Sequence, residues 1–359
     1  MATEVSAREL LRLREFTQRI DPPASGTVAE TVRHLLAVQA QDFPNALWAV
    51  GLRTTGSGRS DVLAALESGE VVRTLPMRGT LHFVAAEDLR WMLALTSTRS
   101  LQSAKTRFEN LGLDAATLQR AAAITRKELA GRAMSRDEFM KVLAGNGISP
   151  DGQRGYHIIF YLTQLSLACW GPPSGTQQAL VLVDDWIPAQ TSPSRDASLV
   201  DFALRYFASH GPATARDFAW WTKLTLADVR AAMAACGDAL TELTHNRTSY
   251  WITASELDAA SGRKPGPAMH ALPGFDEYLL GYQDRLLPLA AEHAQRIVPG
   301  SNGIFLPMIT ARGRVVGTWR RAPKSKTDAI VPEHFETAST AQHASFARAA
   351  EAYSRFAGG

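Results

Sequence analysis

A predominantly helical α+β fold, with three tandem winged helix-turn-helix units ahead of a C-terminal β-hairpin region, is the architecture this sequence predicts. Three observations carry the expectation. Apolar residues at helical spacing give way to a glycine-punctuated hairpin between residues 27 and 84. The same order returns weakly between 135 and 187 and most clearly between 199 and 253. No short fixed period runs through the chain, so the recurrence reads as a tandem of domains and not a solenoid.

Taken in order, Ser6 opens a first helix within residues 4–20, with Leu10, Leu11, Leu13, Phe16 and Ile20 as its apolar positions, and Asp21-Pro22-Pro23 stops it. A second helix is expected from Thr27 to Val38, a third from Pro44 or Asn45 to Leu52, and a short one over 59–69 with Ser60 as its cap. Strands at 71–75 and 80–84 make the first wing, and Ala86 to Leu95 closes the unit as a helix. Residues 98–130 read as mostly helical, Ser135 to Glu138 as a capping box entering a helix to Ala144, Gly152 to Ala168 as the next helix, and Gln178 to Ile187 as strand. The third unit has helices at 199–209, 213–221 and 227–235, then strands at 240–243 and 248–253. A Gly/Pro/Lys linker at 261–267 precedes two strands, 304–310 and 315–319, and His334 to Phe356 reads as a last helix. The expected domains are therefore 1–97, 98–190, 196–260, 268–327 and 328–359.

The 359 residues, 45% hydrophobic and 20% charged, suffice for several ordinary cores. There is no apolar run of membrane-spanning length and no charged-then-apolar leader, so a soluble, unexported protein is expected. Cys169 and Cys236 lie in apolar contexts and read as core residues. A net charge of +3 permits a nucleic-acid partner without announcing one. The local balance is different: Arg312 to Lys326 holds four arginines, two lysines and no acidic residue.

Two stretches carry unusual polar residues. Gln39 and Gln41 flank Ala40 just before Asp42-Phe43-Pro44, so in extended backbone their amides converge on one spot. Capping of a helix end is the alternative role for both. Thr80 and His82 alternate onto the strand face that Arg78 also points to, making either a polar pocket or a structural hydrogen bond for His82. Arg312 and Arg314 sit at a hairpin tip, suited to a narrow minor groove or simply solvated. Arg320 and Arg321 continue the basic run, and Arg285 ends the polar and aromatic stretch that starts at Leu272. No phosphate-binding glycine loop, zinc spacing or serine nucleophile elbow occurs. Neither a metal nor a cofactor is expected.

Gln39-Ala40-Gln41-Asp42, Arg73-Thr74-Leu75-Pro76-Met77-Arg78-Gly79-Thr80-Leu81-His82, Leu272-Pro273-Gly274-Phe275-Asp276-Glu277-Tyr278-Leu279-Leu280-Gly281-Tyr282-Gln283-Asp284-Arg285 and Gly317-Thr318-Trp319-Arg320-Arg321 together resemble the bacterial winged-helix DNA glycosylases of the AlkZ/YcaQ-like group. The resemblance covers most of the chain. It implies tandem winged helices in a C shape around duplex DNA and excision of alkylated purines, bulky adducts and interstrand crosslinks included. It further implies Gln39 and Gln41 as the catalytic Gln-x-Gln motif, a probing hairpin at Arg312 and Arg314, and further DNA contacts at Arg78, His82, Arg285, Arg320 and Arg321. A monomer working in the bacterial cytoplasm or nucleoid is expected. A winged-helix regulator without catalysis, dimeric on two half-sites, and a protein-binding scaffold are the competing readings.

Overall fold

The computed structural model describes residues 3–174, 177–190, 193–263, 269–322 and 329–359. The linker expected at 261–267 and the basic run's Lys324 and Lys326 thus fall wholly or partly outside the described residues. The chain is mixed α and β, with helices dominating, and divides into two compact units. One joins residues 1–62 to 199–359, and the other is 63–198.

In the first unit, the helix Ala7–Thr17 begins where expected, with the Ser6 hydroxyl accepting the Glu9 N–H. It stops before Ile20, which is buried beyond its end. Val28–Leu35 starts with a full capping box of Thr27 and Glu30, then ends three residues earlier than the apolar run suggests, because Leu36 takes a φ of 66°. Val38–Gln39 is a short strand, and Phe43–Gly51 follows with Asp42 as its N-cap and Pro44 in its first turn. The next helix, Arg59–Glu67, begins one residue before Ser60, which therefore lies inside it, and the Asp61 carboxylate in its first turn accepts the Gly58 N–H.

Arg195–His210, Ala215–Thr222 and Leu226–Cys236 are three helices in succession, the second opened by a Thr214/Asp217 capping box and ended by Lys223 in the left-handed region. The hairpin Leu240–His245 with Thr248–Thr253 follows, turned by Asn246 and Arg247, both at positive φ as a two-residue hairpin turn requires. Thr3–Glu4 adds to its edge in parallel. A four-stranded antiparallel sheet orders Ile330–His334, Arg314–Arg321, Met308–Ala311 and Met269–Leu272 side by side. Ile330–His334 is strand and not the start of the last helix, which runs Thr340–Gly358 from a Ser339/Gln342 capping box.

In the second unit, Val71–Met77 and Thr80–Ala85 form the expected hairpin through Arg78 and Gly79, both at positive φ. Ala168–Ser174 pairs with Val71–Met77 and with Gln177–Leu182. Its first residue is not the end of the preceding helix, as the sequence suggests; that helix stops at Gln164. The helix Leu89–Asn110 runs without a break, and Gly112 and the Asp114 cap separate it from Ala115–Glu128. One continuous core, with Phe108, Phe139, Ile159 and Trp170 among its members, lies between these helices and the sheet.

Candidate functional site

The site is built in the first unit on the turn between Val38–Gln39 and Phe43–Gly51. The Asp42 carboxylate accepts the Asn45 N–H at 3.1 Å and so caps the helix, which leaves the two glutamines without that task. Gln39 is 6% exposed and its Oε1 accepts the Gln41 backbone N–H at 3.2 Å. Because an N–H can bond only an acceptor, this contact fixes which end of the Gln39 amide is oxygen. Its Nε2 meets no acceptor among the described residues. The Gln41 side chain is exposed.

Gln39 is anchored from below by a buried carboxylate. Its backbone N–H donates to Glu277 Oε1 at 3.2 Å, while Glu277 Oε2 accepts the Trp221 indole N–H at 2.8 Å. His210 Nε2 stands 3.7 Å from the same oxygen, with Tyr206 stacked on its ring. The neighbouring Asp276 makes a two-pronged ion pair with Arg53 at 2.7 and 2.9 Å, both side chains fully buried. Arg53 spends its remaining N–H groups on the Gln18 and Ala49 carbonyls and the Gln18 amide oxygen. All five guanidinium N–H groups of Arg53 thus have acceptors, which ties Gln18, Ala49 and Asp276 together beneath the turn.

The basic hairpin is fastened to the same layer. Gly313, at φ 77°, sits so close to the first helix that an added Cβ would lie 2.6 Å from the Leu11 Cβ. Its N–H donates to Glu15 Oε1 at 2.9 Å and its carbonyl accepts the Tyr278 hydroxyl at 2.7 Å. Burial raises the Glu15 carboxyl from its ordinary 4.5 to about 8, against the lowering effect of the Gly313 N–H and with a further push from Asp21. Burial likewise lifts Tyr278 well above its usual value and Tyr282 to about 12, so both phenols remain donors. Tyr282 donates to the His210 carbonyl. With its glycine clamped, the tip presents Arg312 and Arg314 exposed on either side.

Arg320 and Arg321, also exposed, line a cleft of ≈ 500 Å³ together with Asp42, Pro44, Asn45, Pro307 and Trp319. Arg320 and Arg321 are thereby brought beside Asp42, the residue after Gln41, with Glu333 as an acidic member of the same wall. Arg285 is half-buried: its guanidinium lies 5.0 Å from the Trp220 and Phe305 ring centres, and its Nε bonds the Leu279 carbonyl. Arg78 and His82 belong to the second unit. There Arg78 Nη2 is 2.9 Å from His82 Nε2, and His82 Nδ1 is 2.8 Å from the Thr80 carbonyl. His82 Nδ1 must then carry the proton and Nε2 accept from the guanidinium. The Arg78/His82 contact and the anchoring of Gln39 by Glu277 are both side-chain geometry that spacing alone does not reveal.

A family model described as AlkZ-like DNA glycosylase matches residues 32–356, nearly the whole chain. The chain belongs to the AlkZ-like DNA glycosylase family. Among relatives of this glycosylase is an interstrand DNA cross-link repair glycosylase of Streptomyces sahachiroi, 26% identical over an alignment of 339 residues that covers 88% of each chain. The solved DNA glycosylase AlkZ of Streptomyces sahachiroi shares the fold, with a TM-score of 0.85 over 99% of this chain and 98% of that one at 22% identity. Membership makes the protein an enzyme acting on DNA and does not favour a regulator that binds without catalysis.

Glu277, Trp221, Arg53 and Asp276 are supporting residues to which the sequence alone assigns no role. Asp276 and Glu277 belong there to the polar and aromatic stretch that starts at Leu272. Their partners lie 223 and 238 positions away, beyond any local pattern.

Proposed function

We propose that this glycosylase is monofunctional and hydrolyses the N-glycosidic bond of alkylated purines in duplex DNA: N7-alkylguanine, N3-alkyladenine, and the same bond in bulky adducts and interstrand crosslinks. Gln39 and Gln41 are the catalytic pair. The observation that carries the reading is the Gln39 amide, pinned through its oxygen and its backbone, next to an exposed Gln41 whose neighbour Asp42 lines a cleft with Arg320 and Arg321. A purine alkylated at N7 or N3 is cationic and leaves readily, so the remaining barrier is the positive charge developing on the sugar and the placing of water. Glutamine has no pKa near neutrality and cannot act as an ordinary general base. Its contribution is positioning and dipole stabilisation, which a fixed amide supplies without reorganising.

The pinned oxygen assigns different work to the two side chains. Gln39 offers N–H groups, and Gln41 offers the carbonyl of its side-chain amide to the attacking water and the sugar cation. The crosslink part of the substrate range is supported by the Streptomyces sahachiroi relative, an interstrand cross-link repair glycosylase. The three helical segments that each precede a hairpin act as winged helices on the duplex, with Arg312, Arg314, Arg320, Arg321, Arg285, Arg78 and His82 on the DNA side. The protein works as a monomer in the cytoplasm, needing neither metal nor cofactor.

The test is incubation with a duplex bearing one N7-methylguanine, followed by strand cleavage at abasic sites. Conversion to an abasic product is expected, and a neutral lesion such as hypoxanthine at the same position should react far more slowly. Absence of product from N7-methylguanine, with the protein folded and bound to the duplex, refutes the reading.

A further inference from the structure

Two aliphatic side chains face water with no packing to explain them. Leu286 is 63% exposed and Ile304 51%, the highest values of any large hydrophobic residue described. Leaving them so forgoes about 1.5–3 kcal/mol each in burial. Single exposed apolar residues need no explanation, but these two share a construction. Each follows a side chain that closes a tight turn on it: Asp284 Oδ1 accepts the Leu286 N–H at 2.9 Å, and Asn302 Oδ1 accepts the Ile304 N–H at 2.9 Å. Their immediate neighbours touch, since the Arg285 guanidinium is 5.0 Å from the Phe305 ring centre. Two separate turns thus meet through their neighbouring residues, each holding out one aliphatic side chain.

The place is as telling as the construction. An added Cβ on Gly274 would meet the Phe305 carbonyl at 2.7 Å and the Asn45 amide nitrogen at 3.0 Å, so the Ile304 turn abuts the first turn of the helix that Asp42 caps. Residues 306 and 307 continue into the wall of the cleft that holds Asp42 and Arg320. Aliphatic side chains on rigid turns, beside cations and a site that works on a base, match one partner chemistry: the stacked bases of a duplex. Leucine and isoleucine are among the side chains that proteins insert between base steps.

We propose that Leu286 and Ile304 form an apolar wedge that enters the base stack next to the lesion and holds the step open while Gln39 and Gln41 act. The inference rests on the duplex substrate proposed above. Arg285, gripped by Phe305 and Trp220, sets the wedge's orientation and is not itself inserted.

The experiment uses the full chain and a duplex with 2-aminopurine beside a tetrahydrofuran abasic analogue, which requires no excision. Binding of the wild type should raise the 2-aminopurine fluorescence several-fold as the step unstacks. Leu286→Ser with Ile304→Ser should lose most of that rise while keeping the thermal melt and binding within a few-fold, and Leu286→Met with Ile304→Leu should restore it. Excision of N7-methylguanine by the serine variant should fall by at least tenfold. An undiminished rise in the serine variant, or none with the wild type, overturns the wedge. Failure of the wild type to excise N7-methylguanine instead counts against the proposed substrate, and the fluorescence arm still decides the wedge.

Discussion

The Gln39 backbone N–H donates to Glu277 Oε1 at 3.2 Å, bridging 238 positions of chain. The other oxygen of that carboxylate is held by the Trp221 indole. Position of the Gln39 amide is therefore set from the core outward, and disturbing Glu277 should be felt at the cleft.

Replacing Glu277 by alanine leaves two buried N–H groups without acceptors, each costing about 1–3 kcal/mol. The melting temperature should fall, and single-turnover excision should slow in folded protein at low temperature while duplex affinity changes little. Glu277→Gln keeps one acceptor but turns an NH₂ toward the other donor, so it should lie between wild type and alanine on both measures. An excision rate equal to wild type in folded Glu277→Ala would confine the residue to stability.

Arg53 and Asp276 should behave as a buried pair. Removing one partner strands a charge, so Arg53→Met or Asp276→Asn should each cost about 3–5 kcal/mol in urea unfolding. A double replacement by apolar residues should cost less than the sum. Additive losses would contradict coupling between the two.

Much of the architecture is legible in the sequence because it is locally encoded. Ser6, Thr27, Ser135 and Thr214 cap the helices that their sequence contexts announce, and Asn246-Arg247 and Arg78-Gly79 turn the hairpins expected there. Ala168–Ser174 reads locally as helix end and loop: Pro172 and Pro173 argue against a strand, and only its pairing with two others makes it one. Near 59–61, Ser60 reads as a cap, but the helix starts one residue earlier and Asp61 in its first turn holds the Gly58 N–H. In the site, spacing and resemblance single out the Gln39/Gln41 pair. The inequality between them is not visible that way, since it comes from Glu277 and from the Gln41 N–H folding back on Gln39.

Glu15 makes stability depend on pH. Its carboxyl titrates at about 8 in the folded protein against an ordinary 4.5, so between those values the folded state holds a proton that the unfolded chain has lost. Stability must then fall as pH rises across that window and level off above it. Glu15→Gln keeps an acceptor for the Gly313 N–H and cannot ionise. Thermal melts from about pH 5 to about pH 9 should show the variant gaining steadily on the wild type. Parallel curves would mean that Glu15 is ionised throughout.

Arg312 and Arg314 flank a clamped glycine, so replacing them should leave the hairpin intact. The double alanine variant should bind all duplex sequences more weakly and lower the slope of log affinity against log salt by up to about 2, one for each phosphate no longer neutralised. Binding titrations at several salt concentrations check this. An unchanged slope makes the tip an ordinary solvated turn.

Whether Gln39 and Gln41 perform the excision is best decided by single-turnover kinetics on duplex N7-methylguanine. Loss of either amide should cost ~3 kcal/mol, roughly a hundredfold in rate. The double alanine variant should fall by less than the product of the single losses, since both side chains act on the same water and charge. Gln41→Asp should retain part of the activity, because a carboxylate also accepts from water and stabilises a cation. Duplex affinity and melting temperature should stay near wild type throughout. A folded Gln39→Ala, Gln41→Ala double variant that excises at the wild-type rate would remove both glutamines from the chemistry.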